Sequence, residues 1–239
     1  AEQQRIVAKL DAAFAEIDVA IETADKNVEN SKMIFQTLRN DIYQKVADTA
    51  PNVELETIAK LSRGHNPPKS KFIDIPKDGY VRFYQIRDAK SDKFATYVPD
   101  DSKLHKVTER DFLMNAYRYV GEVFRGVSGA FNVALCKLSI IDFEKVNEDY
   151  LYYMVPSHLI KGELLKTSAR SLIPSMSVKE LAKLKVPIPS FQEQKEISTK
   201  IIDVEQQQIV LLNIYKEKLY QLTNLKSAIL KQELQSEAA

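Results

Sequence analysis

The sequence has very little cysteine and histidine, and this scarcity argues against several kinds of site. The single cysteine, Cys136, lies in the apolar run NVALCKLSII without a disulfide partner or a second cysteine at metal-ligand spacing. We expect it to be a buried structural thiol. The three histidines, His65, His105 and His158, are scattered among polar residues, with no cysteine or carboxylate at ligand spacing. The composition therefore favours neither a disulfide framework nor a metal centre.

Long apolar runs are also lacking. No stretch approaches the roughly 20 apolar residues that span a bilayer, so we expect no membrane association. The chain has no basic-then-apolar leader and no initiator methionine, and Ala1 falls inside a helix pattern. We expect that the sequence begins within a longer polypeptide.

Proline and glycine are absent from both ends of the chain. All 9 prolines and all 6 glycines lie between residues 49 and 190, which predicts a globular domain with turns there and uninterrupted elements at 1–48 and 191–239. The formal charge divides in the same way, at −3, +5 and −1 for 1–48, 49–190 and 191–239. A basic excess in the middle is compatible with phosphate contacts, although an ordinary solvated surface also produces it.

Motifs for catalysis are incomplete. The segment HNPPK (His65–Lys69) resembles the Asn-Pro-Pro-aromatic tetrapeptide of amino-methyltransferases, but Lys69 stands where the aromatic residue should be. The segment GEVFRGVS has the glycine spacing of a phosphate-binding loop, with Val127 in place of its lysine. The sequence contains no nucleophile elbow and no HExxH motif. We expect that the chain catalyses nothing by itself.

The N-terminal segment carries a heptad pattern. Apolar residues recur at alternating spacings of three and four from Val7 to Ile42, with Ser31 as the one polar member. The pattern predicts one helix of about 45 residues, roughly 65–70 Å long. Its predicted seam contains Leu10, Phe14, Ile17, Ile21, Val28, Phe35, Leu38 and Ile42.

The C-terminal segment supplies a matching helix. Pro187 and Pro189 end one element, and Ser190 with Glu193 forms a capping box that starts the next. Gln208 and Lys218 interrupt the seam that follows. If both helices stand on the same side of the domain they run antiparallel in one coiled coil, with Leu10 near Ile229. The second predicted seam contains Ile197, Ile201, Val204, Leu211, Leu222, Leu225 and Ile229.

The middle segment mixes strand and helix patterns. YVRFYQIR (Tyr80–Arg87) and NVALCKLSII (Asn132–Ile141) are rich in β-branched and aromatic residues and predict strands. Capping-box spacing in TERDFLMNA and SVKELAKLK predicts two short helices, and NEDYLYYMV, closed by Pro156, predicts a third. The expected fold class is α/β (α+β): a mixed domain on a long antiparallel two-helix coiled coil.

Several of these segments together resemble one protein family. KLKVPIPSFQEQKEI (Lys183–Ile197) and its partial second copy AEQQRIVAKLDAAFAEID (Ala1–Asp18) are similar to the conserved helices of type I restriction-modification DNA specificity subunits. VELETIAKLSRGHNPPK (Val53–Lys69), VRFYQIRD (Val81–Asp88) and EDYLYYM (Glu148–Met154) look like parts of its target-recognition domain. The family has two such domains and two such helices, whereas this sequence has helix, domain, helix. HNPPK also departs from the Gly-Thr-Pro turn common in the family.

The resemblance implies a function and partners. By this resemblance the chain would read one half of a split double-stranded DNA site and hold two methyltransferase subunits. These bring S-adenosylmethionine, so no cofactor is expected on this chain. A translocase-nuclease (restriction) subunit can join them, and the location would be cytoplasmic. With one recognition domain, the chain is expected to be either a half-length subunit that forms a homodimer or part of a longer one. A rigid helix pair would then fix the spacer between two half-sites.

Candidate DNA contacts lie in three places. Base reading needs forked polar side chains on short loops, and phosphate contacts need cations or small hydroxyl residues. The end of the YVRFYQIR strand and the Arg/Ser-rich loop Lys166–Ser177, which often faces DNA in the resembling family, both meet this description. Arg125 lies between two glycine turns, although turn geometry alone would explain those glycines, and a solvated strand end would equally explain the first group. The candidates are Gln85, Arg87, Lys90, Arg125, Ser168, Arg170, Ser171 and Ser175.

Two other functions remain open at this point. A coiled-coil scaffold whose middle domain binds a protein would keep both the heptads and the basic charge. An enzyme acting on nucleic acid is the other alternative. Sequence-selective DNA binding that weakens with salt separates the first from a recognition subunit, and methyl transfer by the isolated chain would support the second.

Overall fold

The computed structural model describes residues 2–89, 91–117, 121–168 and 177–236. The chain divides into two compact units, a helical unit of Ala1–Leu38 with Lys200–Ala239 and an α/β unit of Arg39–Thr199. The expected mixed α/β fold class is confirmed. The elements in order are α1 (Glu2–Thr49), β1 (Asn52–Glu54), β2 (Ala59–Arg63), β3 (Tyr80–Tyr84), β4 (Tyr97–Pro99), β5 (Lys106–Val107), β6 (Phe112–Asn115), β7 (Val123–Arg125), β8 (Gly129–Phe131), β9 (Leu135–Ile140), α2 (Glu148–Met154), α3 (His158–Ser168), α4 (Val178–Ala182), β10 (Lys185–Pro187) and α5 (Phe191–Ser236).

Two long helices pair antiparallel in the helical unit. Lys226 near the end of α5 forms an ion pair with Asp18 of α1, with 2.6 Å between Nζ and Oδ1. The side-chain amide of Gln208 donates to the carbonyl of Ser31 at 3.3 Å. Residues later in α1 therefore meet residues earlier in α5, as predicted. At 48 residues, α1 is roughly 72 Å long.

The predicted seam of α1 matches the buried stripe closely. Ile17, Ala24 and Phe35 are 7%, 1% and 9% exposed, and Leu10, Phe14, Ile21 and Val28 are half-buried. Ser31, the polar member, is buried as well. Leu38 departs from the prediction at 42% exposure. Ile42, which belongs to the α/β unit, is half-buried there.

The predicted seam of α5 is displaced by one residue at two of its positions. Ile201 is buried, and Val204, Leu222 and Ile229 are half-buried as expected. Leu211 and Leu225, however, are 38% and 49% exposed. The positions beside them, Leu212 and Lys226, are half-buried instead. The stripe advances because a straight α-helix has 3.6 residues per turn and drifts against a strict heptad.

The α/β unit is built on three sheets. One has the order β2-β9-β6-β7 and is antiparallel throughout, and a second has the order β4-β3-β8-β5, in which β3 and β8 run parallel. The third sheet consists of β1 and β10, which pair antiparallel. In chain order, β1 follows α1 and β10 precedes α5. Both predicted strands are confirmed in shorter form: YVRFYQIR is a strand only as far as Tyr84, and NVALCKLSII only from Leu135 to Ile140. Cys136 is buried in β9, and burial raises the pKa of its thiol to about 11.

One helix prediction was wrong. Asp111 does accept the backbone N–H and the hydroxyl of Thr108, as a capping box suggests. The same carboxyl group also accepts the hydroxyl of Ser139 on β9. The residues that follow form β6, paired with β7 and β9. Long-range strand pairing therefore overrides the local helix signal.

The other helix starts and the long-helix start are confirmed. Asn147 caps α2, Ser177 and Glu180 form a reciprocal capping box before α4, and Ser190 and Glu193 form another before α5. Helix α3 extends to Ser168, so Lys166–Ser168, predicted as loop, are helical. No helix within the described ranges is long and apolar enough to cross a membrane.

Buried polar contacts within the α/β unit hold the end of α1 and the start of α5. The hydroxyl of Tyr43 donates to the carbonyl of Tyr150 at 2.9 Å, and the hydroxyl of Tyr150 donates to the carbonyl of Pro187 at 2.8 Å. The two rings meet edge-on with centroids 5.4 Å apart. Gln194 of α5 is fully buried and holds the segment before α2. These contacts fix the last turns of α1 and the first turn of α5, which belong to the α/β unit.

Candidate nucleic-acid interface

The segment after β3 is folded back on an arginine that the sequence analysis did not single out. Arg82 forms ion pairs with Asp88 and Asp92, each with an N–O distance of 3.0 Å. Its guanidinium also lies over the rings of Tyr84 and Tyr97, 4.9 and 5.8 Å from their centroids. The Asp88 side chain is fully buried and also accepts the backbone N–H of Gln85 at 2.7 Å. Arg82 therefore helps to position Asp88 and Asp92, and through Asp88 the backbone at Gln85. Arg82 and Tyr84 are two residues apart on β3, so their side chains lie on the same face of the strand. This spacing is the sequence signal for the role of Arg82.

Gln85 and Arg87 are brought together by this turn. Both donate to the hydroxyl of Thr96, at 3.4 Å from Gln85 and 3.0 Å from Arg87, and Arg87 also donates to the carbonyl of Phe94 at 3.2 Å. Arg87 is exposed, and these two bonds use one nitrogen of a guanidinium that carries five N–H donors. An exposed fork held by a rigid acceptor is suited to reading a base edge. Lys90 lies outside the described residues.

Phe94 adds an exposed aromatic ring to the same group. It is 58% exposed, and the cations of Arg87 and Lys93 lie 5.8 and 5.5 Å from its centroid. An exposed aromatic flanked by cations is typical of surfaces on which bases stack. Sequence reasoning missed Phe94 because it is separated from the candidate strand end.

Arg125 is engaged within the α/β unit. On β7, it forms an ion pair with Asp149 of α2 at 2.6 Å, lies 3.9 Å from Glu148, and packs over the ring of Tyr152 at 4.3 Å. Its side chain is 29% exposed. These contacts join β7 to α2, and the expected DNA contact of Arg125 stays a prediction.

The remaining predicted contacts belong to the Lys166–Ser177 segment. Arg170, Ser171 and Ser175 lie outside the described residues, and Ser168 is the last residue of α3. The expected DNA role of this segment stays a prediction.

A second polar surface was not predicted. Two segments, one after β2 and one after β4, enclose a cleft of about 270 Å³, which we call the basic cleft. Two lysines and a histidine line it around a single carboxylate. The double proline of HNPPK was the sequence signal, but without the partner segment it did not indicate a cleft. The lining residues are His65, Pro67, Pro68, Lys71, Pro99, Asp101, Lys103 and Leu104.

Among the described residues, no group of three or more His, Cys, Asp or Glu side chains is placed to hold a metal ion.

Comparison with known proteins gives a consistent match. The model of the type I restriction modification DNA specificity domain matches residues 48–231. The type I restriction enzyme MjaVIII specificity subunit of Methanocaldococcus jannaschii is 28% identical over 163 residues, which cover 64% of this chain and 35% of that protein.

Solved structures share the fold. A chain from a study of complex assembly and conformational transition of the type I R-M system superposes with a TM-score of 0.76 at 20% identity, covering 97% of this chain and 58% of that one. The HsdS subunit from Thermoanaerobacter tengcongensis gives a TM-score of 0.61 at 20% identity, covering 97% of this chain and 57% of that one. The S subunit from M. genitalium gives 0.56 at 17% identity, with coverages of 96% and 60%. The chain thus spans less than two thirds of the length of each of these relatives.

Proposed function

Because the chain belongs to the family of type I restriction modification DNA specificity domains, we propose that it is a DNA-recognition subunit that reads one half of a bipartite site. The family match carries this proposal, since it runs from residue 48 to the end of the α/β unit and well into α5. The proposal gives the chain no catalytic residue. S-adenosylmethionine and the methyl-transfer site would belong to partner methyltransferase subunits, and the complex would act on DNA in the cytoplasm.

The α/β unit offers the chemistry that base reading requires. Arg87 presents a fork whose position is set by Thr96, and Gln85 shares the same hydroxyl. Bidentate pairing of arginine with guanine and of glutamine with adenine are the usual base contacts of these residues. The Arg82 ion pairs hold the backbone beneath them. This preorganisation supports a contact that does not have to order a loop on binding.

The helical unit offers a surface for protein partners. Large apolar side chains are exposed on both helices, with Met33 at 62%, Ile34 at 59%, Val210 at 60% and Ile214 at 57%. A groove of about 220 Å³ lies between the helices, with Leu38 and Leu211 in its wall. Exposed apolar surface on this scale is typical of protein interfaces. We propose methyltransferase subunits as the partners, with a translocase-nuclease subunit able to join. A homodimer would be the arrangement of a half-length subunit.

Selection from a random duplex library tests the proposal. The chain assembled with its methyltransferase should enrich one split motif, and the binding should weaken steeply with salt. The methyltransferase without the chain is the control and should enrich no such motif. Absence of any enriched sequence with the assembled complex would instead favour a scaffold whose α/β unit binds protein.

A further inference from the structure

The basic cleft has one wall that is held rigidly. Gly64 lies so close to the end of β8 that an added Cβ would stand 2.1 Å from the carbonyl oxygen of Asn132, so only glycine fits. The N–H of His65 donates to the carbonyl of Phe131 at 3.0 Å. Asn66 accepts the backbone N–H of Val133 through its side-chain oxygen at 3.2 Å. This wall is therefore tied to β8 and to the loop after it.

The same wall continues through the double proline to a lysine. Pro67 and Pro68 have fixed φ angles and no N–H donors, which removes conformational freedom from the segment. The N–H of Lys71 donates to the carbonyl of Pro68 at 3.0 Å within a single 3₁₀ turn, Lys69–Lys71. The base of the Lys71 side chain is thus fixed, while Lys71 itself is exposed.

The opposite wall is an anchored turn after β4. Asp101 accepts the backbone N–H of Lys103 at 2.9 Å, and the N–H of Leu104 donates to the carbonyl of Asp101 at 3.0 Å. Leu104 is 7% exposed and packs in a core cluster with Phe83 and Val98. Because Leu104 is anchored, its neighbour Lys103 is held at the rim of the cleft.

Positive charge converges on the cleft from both walls. The pKa of Asp101 lies below its ordinary value, first because the carboxylate accepts the N–H of Lys103. Coulombic interactions with Lys103, Lys71 and His65 lower it further. Two lysines face one carboxylate that is already hydrogen-bonded, so the cleft has an excess of positive charge.

We propose that the basic cleft binds a phosphate of the DNA backbone, with Lys71 and Lys103 as the contacting cations. This inference rests on the proposed DNA-recognition function. Phosphate contacts fix the register of a protein on a duplex and carry no sequence information themselves. Lysine suits this role because its ammonium group is a compact charge with three donors. The cleft would orient the α/β unit while forked side chains such as Arg87 read bases.

Charge-removal variants of the assembled complex test the cleft. Lys71→Gln with Lys103→Gln should lower affinity evenly across duplex sequences and reduce the salt slope by about one for each phosphate that the complex no longer neutralises. With a slope change of about one, the ratio of the DNA affinity of the unaltered complex to that of the variant should fall about threefold to fourfold between 50 and 200 mM salt. The enriched motif should not change. Lys179→Gln with Lys185→Gln removes two exposed lysines of the same unit as the matched control.

A variant of opposite sign strengthens the test. Asp101→Asn keeps an oxygen for the N–H of Lys103 but removes the one carboxylate of the cleft, so DNA binding should tighten. Asp142→Asn is its control, because Asp142 accepts the N–H of Glu144 at 2.9 Å in the same kind of turn. Equal effects of the paired variants on affinity and on salt slope would overturn the proposal.

Two further outcomes are distinguishable. If the unaltered complex enriches no sequence, the proposed function fails rather than the cleft alone. Inorganic phosphate, exchanged for chloride at constant ionic strength, is the probe for a small-anion site. A DNA role for the cleft would be contradicted by one combination of results. Phosphate would stabilise the chain thermally in a saturable way, and the double lysine variant would lose this stabilisation while its DNA binding stayed unchanged.

Discussion

Replacing Gln194 by leucine should destabilise the α/β unit strongly, because this side chain is fully buried and fully bonded. Its oxygen accepts the N–H of Asn147 at 2.8 Å. Its nitrogen donates to the carbonyls of Lys145 at 3.0 Å and Pro189 at 2.9 Å. One amide thus joins the first turn of α5 to the segments before α2 and before α5 itself.

The expected loss follows from these three bonds. Leucine is similar in size, so the substitution creates little cavity, but it leaves one N–H and two carbonyls of the backbone without their partner. Each neutral bond contributes about 1 kcal/mol, and each buried group left unsatisfied costs about 1–3 kcal/mol. Allowing for relaxation that exposes some of these groups to water, we expect a loss of about 3 kcal/mol in the free energy of unfolding.

Urea unfolding measured by near-ultraviolet circular dichroism provides the assay, since the chain has 11 tyrosines and no tryptophan. Gln192→Leu is the matched control. Gln192 lies on the same turn of α5, and its exposed side chain donates to Glu196 at 3.0 Å. An exposed pair of this kind contributes within about 0.5 kcal/mol. If Gln194→Leu is no more destabilising than Gln192→Leu, the buried amide does not stabilise the unit in the way its bonds imply.

Three further predictions concern pH, helix pairing and DNA contact. In Gln194→Glu, burial should raise the folded-state pKa of the new carboxyl above its unfolded value of about 4.3. The stability of this variant relative to wild type should therefore be greatest below pH 4 and fall as the pH rises above that value. A pH-independent difference in stability would contradict this. Cysteines at Ser31 and Gln208 should crosslink within one chain, whereas exclusively intermolecular crosslinks would indicate a swapped dimer. Arg170→Ala should leave the free energy of unfolding within about 0.5 kcal/mol of wild type. If the side chain contacts a base, the free energy of DNA binding should weaken by about 1–3 kcal/mol, with relaxed preference at one base position. Unchanged methylation of the original motif would place recognition elsewhere.

The sequence predicted the long helices well because their stability depends on local periodicity. In α1 the heptad positions Ile17 and Phe35 are buried as expected. In α5 the strict heptad selected Leu211 and Leu225, while the real contact stripe advances to Leu212 and then Lys226. The drift depends on how the two helices coil, and that is a property of the pair rather than of either sequence segment.

The candidate interface could be located only in part, for a similar reason. The strand end carrying Gln85 and Arg87 was found from residue type and position, but their acceptor Thr96 lies on the following segment. The ion pair of Arg125 with Asp149 was not predicted, because pattern alone does not bring that helix near β7. Thr108 and Asp111 made the expected bonds without forming a helix. In each case a partner distant in sequence decided the role.

Mapping of methylated adenines in host DNA tests the central claim most directly. A strain that expresses the chain with its methyltransferase, and any further subunit needed, should show one bipartite motif that disappears when the chain alone is omitted. Exchange of residues 49–190 for those of a relative with a different specificity should change one half of the motif and preserve the spacer. A motif that is unchanged by omission or by exchange of the chain would contradict the proposed DNA-recognition function.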